Sequence, residues 1–167
     1  PTAFSTALVL SGLDSRRFIF EGFLPTDKKE KAQVLKSIEK ETRTVIFYEA
    51  PHRLKTTLKE LFESTGDREA ACVREITKKF EEVKKGNMSE LIEYYNVNEP
   101  KGEFVIVIGG ADAQELKKEE IAAWESITVE EHVKKYMAEG MSEKDAMKQA
   151  AKDRGITKRD IYAQLKK

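Results

Sequence analysis

Apolar residues change their period along this chain. Val45, Ile46, Phe47 and Tyr48 form an uninterrupted β-rich run bounded by polar residues, the pattern of a strand buried on both faces. At Glu49 the run breaks. Pro51, His52 and Arg53 follow, and Leu54, Leu58 and Leu61 recur at helical spacing. The spacing predicts a strand, a charged loop and a helix over residues 51–64, with Pro51 in its first turn. Upstream, residues 3–12 read as a small-residue helix stopped by Gly12. Phe18, Phe20 and Phe23 alternate around Ile19 and Glu21 as in a strand, ended by Pro25. Residues 28–40 read as a charged helix with Val34, Leu35 and Ile38 inward. Downstream come a short strand over 70–74, a second over 80–84 closed by Gly86, and a helix through Tyr95 with Ser89 as N-cap. Residues 103–108 give the clearest strand, and Gly109-Gly110 breaks it. This alternation predicts an α/β domain over residues 1–110, a mixed sheet flanked by helices.

After Gly110 the strand signal is gone. Residues 111–167 read as a small all-helical module with apolar positions at Ile121, Trp124, Val133, Met137, Ala146, Ala150, Ile156, Ile161 and Leu165. Helix, Gly155 turn and helix in its last part make it helix-turn-helix-like. Trp124 and Tyr162 read as core positions.

Charge alters this picture only locally. Lys+Arg and Asp+Glu are both 30, so the whole chain points to no partner. From residue 134 to 167, however, ten Lys/Arg stand against five Asp/Glu, an excess that suits a polyanion. A solvated helical hairpin would carry the same excess. No apolar run approaches the roughly 20 residues of a membrane span. The single cysteine, Cys72, lies between Ala71 and Val73 as a core residue would and suits a reducing cytosol. His52 and His132 stand in unrelated contexts, so no metal-ligand spacing is present. The chain opens on Pro1-Thr2-Ala3-Phe4 without a methionine, and its first apolar helix has no partner before it. We expect a chain cut from something longer.

Three charged clusters follow three expected strands: Glu21, then Glu49/His52/Arg53, then Arg74/Glu75/Lys78. In open α/β sheets ligands bind beyond the carboxyl ends of strands, and neighbouring strands would bring these clusters to one edge. A carboxylate beside an arginine or lysine can orient a hydroxyl or accept its proton. Arg74 and Glu75 would equally serve as a structural ion pair, and an ordinary strand–helix connection leaves the same pattern at Glu49. No Gly-x-Ser-x-Gly and no P-loop occurs.

At these clusters the sequence resembles a known family. Phe20-Glu21-Gly22-Phe23-Leu24-Pro25, Phe47-Tyr48-Glu49-Ala50-Pro51-His52-Arg53, Arg74-Glu75-Ile76-Thr77-Lys78 and Lys101-Gly102-Glu103-Phe104-Val105, in this order, are similar to motifs of the bacterial 16S rRNA (cytidine-2′-O)-methyltransferases, members of the tetrapyrrole (corrin/porphyrin) methylase superfamily. Gly155-Ile156-Thr157-Lys158 and Ile161-Tyr162 resemble the helix-turn-helix module that closes those enzymes. The resemblance covers the family's second half. Family members begin with another α/β domain bearing a Gly-rich methyl-donor loop and an Asp-Pro-Gly turn, and neither motif is in this sequence.

The resemblance implies S-adenosylmethionine in a cleft of which this chain owns one wall, so the chain alone should bind it poorly and be inactive. It implies cofactor contacts at Thr2, Ala3, Tyr48, Glu49 and Ile76. Related methylases carry methionine at the place of Glu49, which implies contact there through backbone, with the carboxylate free for substrate. Glu75 and Glu49 are the candidates for orienting a ribose hydroxyl. Arg53, Arg74 and Lys78 are the candidates for phosphate beside it, and Lys148, Lys152 and Lys158 for phosphate farther along the RNA. Lys144, Lys148 and Lys152 share one helix face by their spacing. The implied setting is cytoplasmic, on 16S rRNA or the small ribosomal subunit, as a homodimer in the full-length enzyme, with no metal and no membrane. A tetrapyrrole C-methyltransferase and a non-catalytic RNA-binding module are the alternatives.

Overall fold

The computed structural model describes residues 2–76 and 81–165. It divides into two compact units, one through Asp112 and one from Ala113. In the first, the elements run α1 (Ala3–Ser11), β1 (Phe18–Phe23), α2 (Lys28–Ile38), β2 (Thr44–Glu49), α3 (Pro51–Thr65), β3 (Glu69–Arg74), β4 (Glu82–Asn87), α4 (Met88–Val97) and β5 (Phe104–Ile108). The sheet order is β1-β2-β5-β3-β4. β1 and β2 are parallel, and the other pairs are antiparallel, so the sheet is mixed as expected. The strands with continuous apolar runs, β2, β5 and most of β3, take the middle. β4, with Glu82, Lys84 and Lys85, takes an edge, where charge discourages pairing with another chain.

Alternation along the central strands makes two cores. Val45, Phe47, Cys72, Phe104, Ile106 and Ile108 pack with Leu54, Leu58 and Leu61 of α3 and with Met88, Leu91 and Tyr95 of α4. Ile46, Val73, Val105 and Val107 face the other way, onto Ala7 and Leu8 of α1. The spacing Phe18, Phe20, Phe23 would put Phe23 on the wrong face of a regular strand. A bulge between Phe20 and Gly22 restores it, so that Phe20 pairs with Ile46 and Phe23 with Tyr48. Phe20 and Phe23 both meet the Tyr48 ring edge-on, at 4.9 and 5.8 Å between ring centres.

Some boundaries differ from the sequence expectation. Gly86 lies within β4 rather than closing it, and residues 77–80, part of the expected strand over 80–84, lie outside the described residues. Asn87, not Ser89, is the N-cap of α4. Glu90 returns to accept the Asn87 N–H at 2.8 Å, while Ser89 Oγ is drawn away to donate to Asp67.

The second unit holds α5 (Ala113–Glu125), α6 (Val129–Ala138), α7 (Glu143–Asp153) and α8 (Lys158–Leu165). Val129, Val133, Ala146, Met147, Ala150, Ala151 and Ile161 form its core. Gly155, at φ 65°, lets Ile156 N–H reach Ala151 O and its own N–H reach Lys152 O, closing α7. Met137 and Tyr162, expected inside, are exposed at 43% and 46%. Four short helices offer too little interior for every apolar position. Tyr162 instead lies under the Lys158 ammonium, 5.9 Å from its ring centre.

Candidate active site

Parallel β1 and β2, with β3 antiparallel to the intervening β5, bring the carboxyl ends of β1, β2 and β3 to one edge. β5 begins there, with Phe104 in register between Glu49 and Arg74. A cavity of about 600 Å³ opens at this edge, lined by Ala3, Phe23, Tyr48, Glu49, Ala50, Pro51, His52, Glu75, Ile76, Glu103, Phe104 and Val105. The convergence expected for the clusters at Glu49 and Glu75 is therefore present. Glu21 is not part of it, because the bulge leaves it within β1 rather than at its end.

Glu49 is the most constrained group here. Its side chain is fully buried, and its carboxylate accepts the Ala50 N–H at 2.8 Å and the Thr57 hydroxyl at 2.6 Å, with Arg53 Nε at 3.7 Å. The carboxylate thus sits at the N-terminus of α3, where the helix dipole favours negative charge. This corrects the expectation of a carboxylate turned to substrate: both oxygens are engaged by this chain, and Glu49 meets the cavity by its backbone side. Arg53 donates to Leu24 O at 2.8 Å, tying the end of β1 to α3.

Glu75 ends β3 with φ +49°, an unusual conformation for a residue with a side chain. It is held there by a two-way clasp. Its N–H donates to Glu103 O at 3.2 Å, and its carboxylate accepts the Glu103 N–H at 3.1 Å. A Cβ on Gly102, itself at φ +84°, would collide with the Glu75 side chain. Arg74 pairs with Glu82 and donates to Lys101 O at 3.4 Å, and it is not among the residues that line the cavity. Thr2 is the exposed N-cap of α1, one residue from the cavity wall at Ala3. Lys78 lies outside the described residues. In the second unit, Lys148 and Lys152 are exposed on α7, away from Ala146, Met147, Ala150 and Ala151, and Lys158 is half-buried at the start of α8.

Sequence reasoning missed Phe23 and the start of β5 as lining. Only the register of an antiparallel strand inserted between β2 and β3 shows them. It also missed Thr57, whose signal was a polar residue on the buried face of an amphipathic helix.

A sheet with these carboxyl ends on one edge and a cavity beyond them is the open α/β arrangement whose ligands generally bind beyond the carboxyl ends of strands. The chain belongs to the tetrapyrrole (corrin/porphyrin) methylases, whose family model matches residues 1–92. Among similar proteins, ribosomal RNA small subunit methyltransferase I of Bacillus subtilis (strain 168) is 46% identical over 157 residues, covering 94% of this chain and 53% of the relative. The Halalkalibacterium halodurans protein of that name is 42% identical over 157 residues, with 94% and 54% covered. The Synechocystis one is 38% identical over 162 residues, with 96% and 56% covered. The chain therefore spans about half the length of these relatives. The X-ray structure of cobalt precorrin-4 methyltransferase, a cobalamin biosynthetic enzyme, superposes with a TM-score of 0.51 at 17% identity, covering 65% of this chain and 48% of that one, a likeness of fold.

Proposed function

We propose that the chain is part of an S-adenosylmethionine-dependent methyltransferase acting on a cytidine ribose 2′-hydroxyl of 16S rRNA, in which residues 1–110 form one wall of the methyl-donor cleft and residues 111–167 an RNA-binding module. The observation that carries this reading is the cavity at the carboxyl edge, which gathers Ala3, Tyr48, Glu49, Glu75 and Ile76 from separate elements. Its size lies within the roughly 300–1,000 Å³ of small-molecule sites. Its apolar lining by Ala3, Tyr48, Ile76, Phe104 and Val105 fits the flat faces of a nucleoside. The relatives' name supports the substrate class.

When bound, S-adenosylmethionine supplies a methyl group on a positively charged sulfur, open to in-line displacement by a ribose oxygen. This chain's part is to hold the nucleoside wall through Ala3, Tyr48, Ile76 and the Glu49 backbone, with Thr2 at the head of α1. The Glu75 carboxylate orients the hydroxyl. A carboxylate has about four acceptor positions, so its bond from Glu103 N–H is compatible with a further one from substrate. Holding the hydroxyl in line can be worth roughly 7–11 kcal/mol. Arg53 ties the end of β1 to α3, Arg74 ties the end of β3 to Lys101, and Lys148, Lys152 and Lys158 meet phosphates of the rRNA.

The test joins this chain to the preceding half of the Bacillus subtilis relative and measures methyl transfer to small ribosomal subunits, free rRNA and porphyrinoids. Transfer to a cytidine ribose of the rRNA is expected, in a homodimeric enzyme. Transfer to a porphyrinoid alone would overturn the reading in favour of tetrapyrrole methylation, and RNA binding without transfer would leave only a binding module. Changing Lys148, Lys152 and Lys158 to Gln should lower rRNA affinity and flatten its dependence on salt.

A further inference from the structure

A second recess, of about 560 Å³, opens at the other end of β1 and β2. Arg16, Arg17, Phe18, Thr42 and Arg43 line it, three arginines beside an aromatic and a threonine, with no acidic residue in the lining. The parallel strands run from Phe18 and Thr44 here to Phe23 and Tyr48 at the cavity. One strand length, roughly 17 Å, therefore separates the recess from the candidate active site.

Both walls are fixed. Asp14 Oδ1 accepts the Arg16 N–H at 2.9 Å, and Thr44 donates to Asp14 O at 2.6 Å, which set the loop between α1 and β1. Opposite, the Arg68 guanidinium donates to the carbonyls of Ile38, Glu39 and Glu41, and the Ala111 N–H donates to Glu41 O at 2.7 Å, which set the loop before β2. Arg43 forks onto Glu41 at 2.8–2.9 Å, so its charge is balanced locally. Arg16 and Arg17 are exposed and make no ion pair among the described residues. Phe18 is 40% exposed, propped from behind by the Phe4 ring at 5.9 Å.

We propose that this recess holds the backbone of single-stranded RNA flanking the reacting nucleotide, with Arg16 and Arg17 on phosphates and Phe18 under an unpaired base; this rests on the rRNA reading above. Three chemical features favour that ligand. Guanidinium forks match phosphate oxygens better than point charges do. An exposed ring beside them is the platform on which single-stranded bases stack. A fixed backbone on both sides lets the contacts form without first ordering the loops. Contacts of this kind set the position of the substrate and not its sequence.

The test is fluorescence anisotropy of this chain with a labelled single-stranded RNA of about twelve nucleotides, between about 50 and 200 mM salt. Arg16→Gln with Arg17→Gln should reduce the log–log salt slope by about 1.4, two contacts at roughly 0.7 each. Arg16→Lys with Arg17→Lys should keep the slope and bind more weakly. Phe18→Leu should weaken binding with the slope unchanged. Both arginine side chains are exposed, so circular dichroism of these variants should match the parent. Equal affinity and slope in the double Gln variant would overturn the proposal, as would no binding by the parent at any salt. Methyl transfer by the joined enzyme separates the two readings. Undiminished transfer to rRNA by the double Gln variant, with unchanged KM, would overturn the recess and leave the proposed activity standing.

Discussion

Glu49→Ala should unfold the first unit more readily without touching its apolar core. The buried carboxylate holds the Thr57 hydroxyl, itself 1% exposed, and the Ala50 N–H at the head of α3. Orphaning a buried donor costs about 1–3 kcal/mol. The favourable charge at the helix N-terminus adds about 0.3–1 kcal/mol. Together these predict a loss of about 1–4 kcal/mol, a sizeable part of the roughly 5–15 kcal/mol of a typical domain. Glu49→Gln keeps one acceptor and should lose about half as much. Thr57→Val removes the orphan instead, so the double variant should be no worse than Glu49→Ala alone, a coupling of about 1–3 kcal/mol. Cys72 provides a local assay, since it is 1% exposed in the core beneath α3 and α4 and its alkylation in urea reports opening of this unit. Stability within about 0.5 kcal/mol of the parent, combined with loss of methyl transfer in the joined enzyme, would refute the structural role and return the carboxylate to the substrate.

Other outcomes follow from the same geometry. His132 is fully buried, stacked at 3.8 Å on Trp124, and its Nδ1 accepts from Arg154 Nε at 3.0 Å; burial, and then the Arg154 charge, push its pKa down. The unfolded chain therefore binds the proton first. Stability of the helical unit should be full above the ordinary histidine value of about 6.5 and fall by up to about 1.4 kcal/mol per pH unit below it. Urea unfolding followed by Trp124 fluorescence at about pH 7.5 and about pH 5.5 checks this, and equal midpoints would contradict it. Gly102→Ala should drive the Glu75 carboxylate off Glu103 N–H and strain a backbone at φ +84°, costing about 1 kcal/mol or more. The joined enzyme should lose transfer rate well beyond what Cys72 protection loses. Burial pushes the Cys72 thiol up to about 12, so the native chain should resist iodoacetamide at about pH 8 and react once unfolded.

Local pattern determined much of this protein. The continuous apolar runs of β2, β3 and β5, the amphipathic period of α3 and the loss of strand signal after Gly109-Gly110 are properties of neighbouring residues, and neighbours fix them. The resemblance carried by motifs at Phe20–Pro25, Phe47–Arg53, Arg74–Lys78 and Lys101–Val105 led to the right family for the same reason, since a motif is a local string. What only the tertiary structure decided is long-range. The insertion of β5 between β2 and β3 places Phe104 between Glu49 and Arg74, and strand order is set by packing over whole faces rather than by any one segment. The bond of Glu49 to Thr57 eight residues away, the Glu75–Glu103 clasp and the gathering of Arg16, Arg17 and Arg43 at one recess belong to the same class. A side chain's availability for chemistry depends on which donors the fold brings within hydrogen-bond reach. The sequence names the carboxylate at Glu49, and only the packed helix behind it shows that the carboxylate is already engaged.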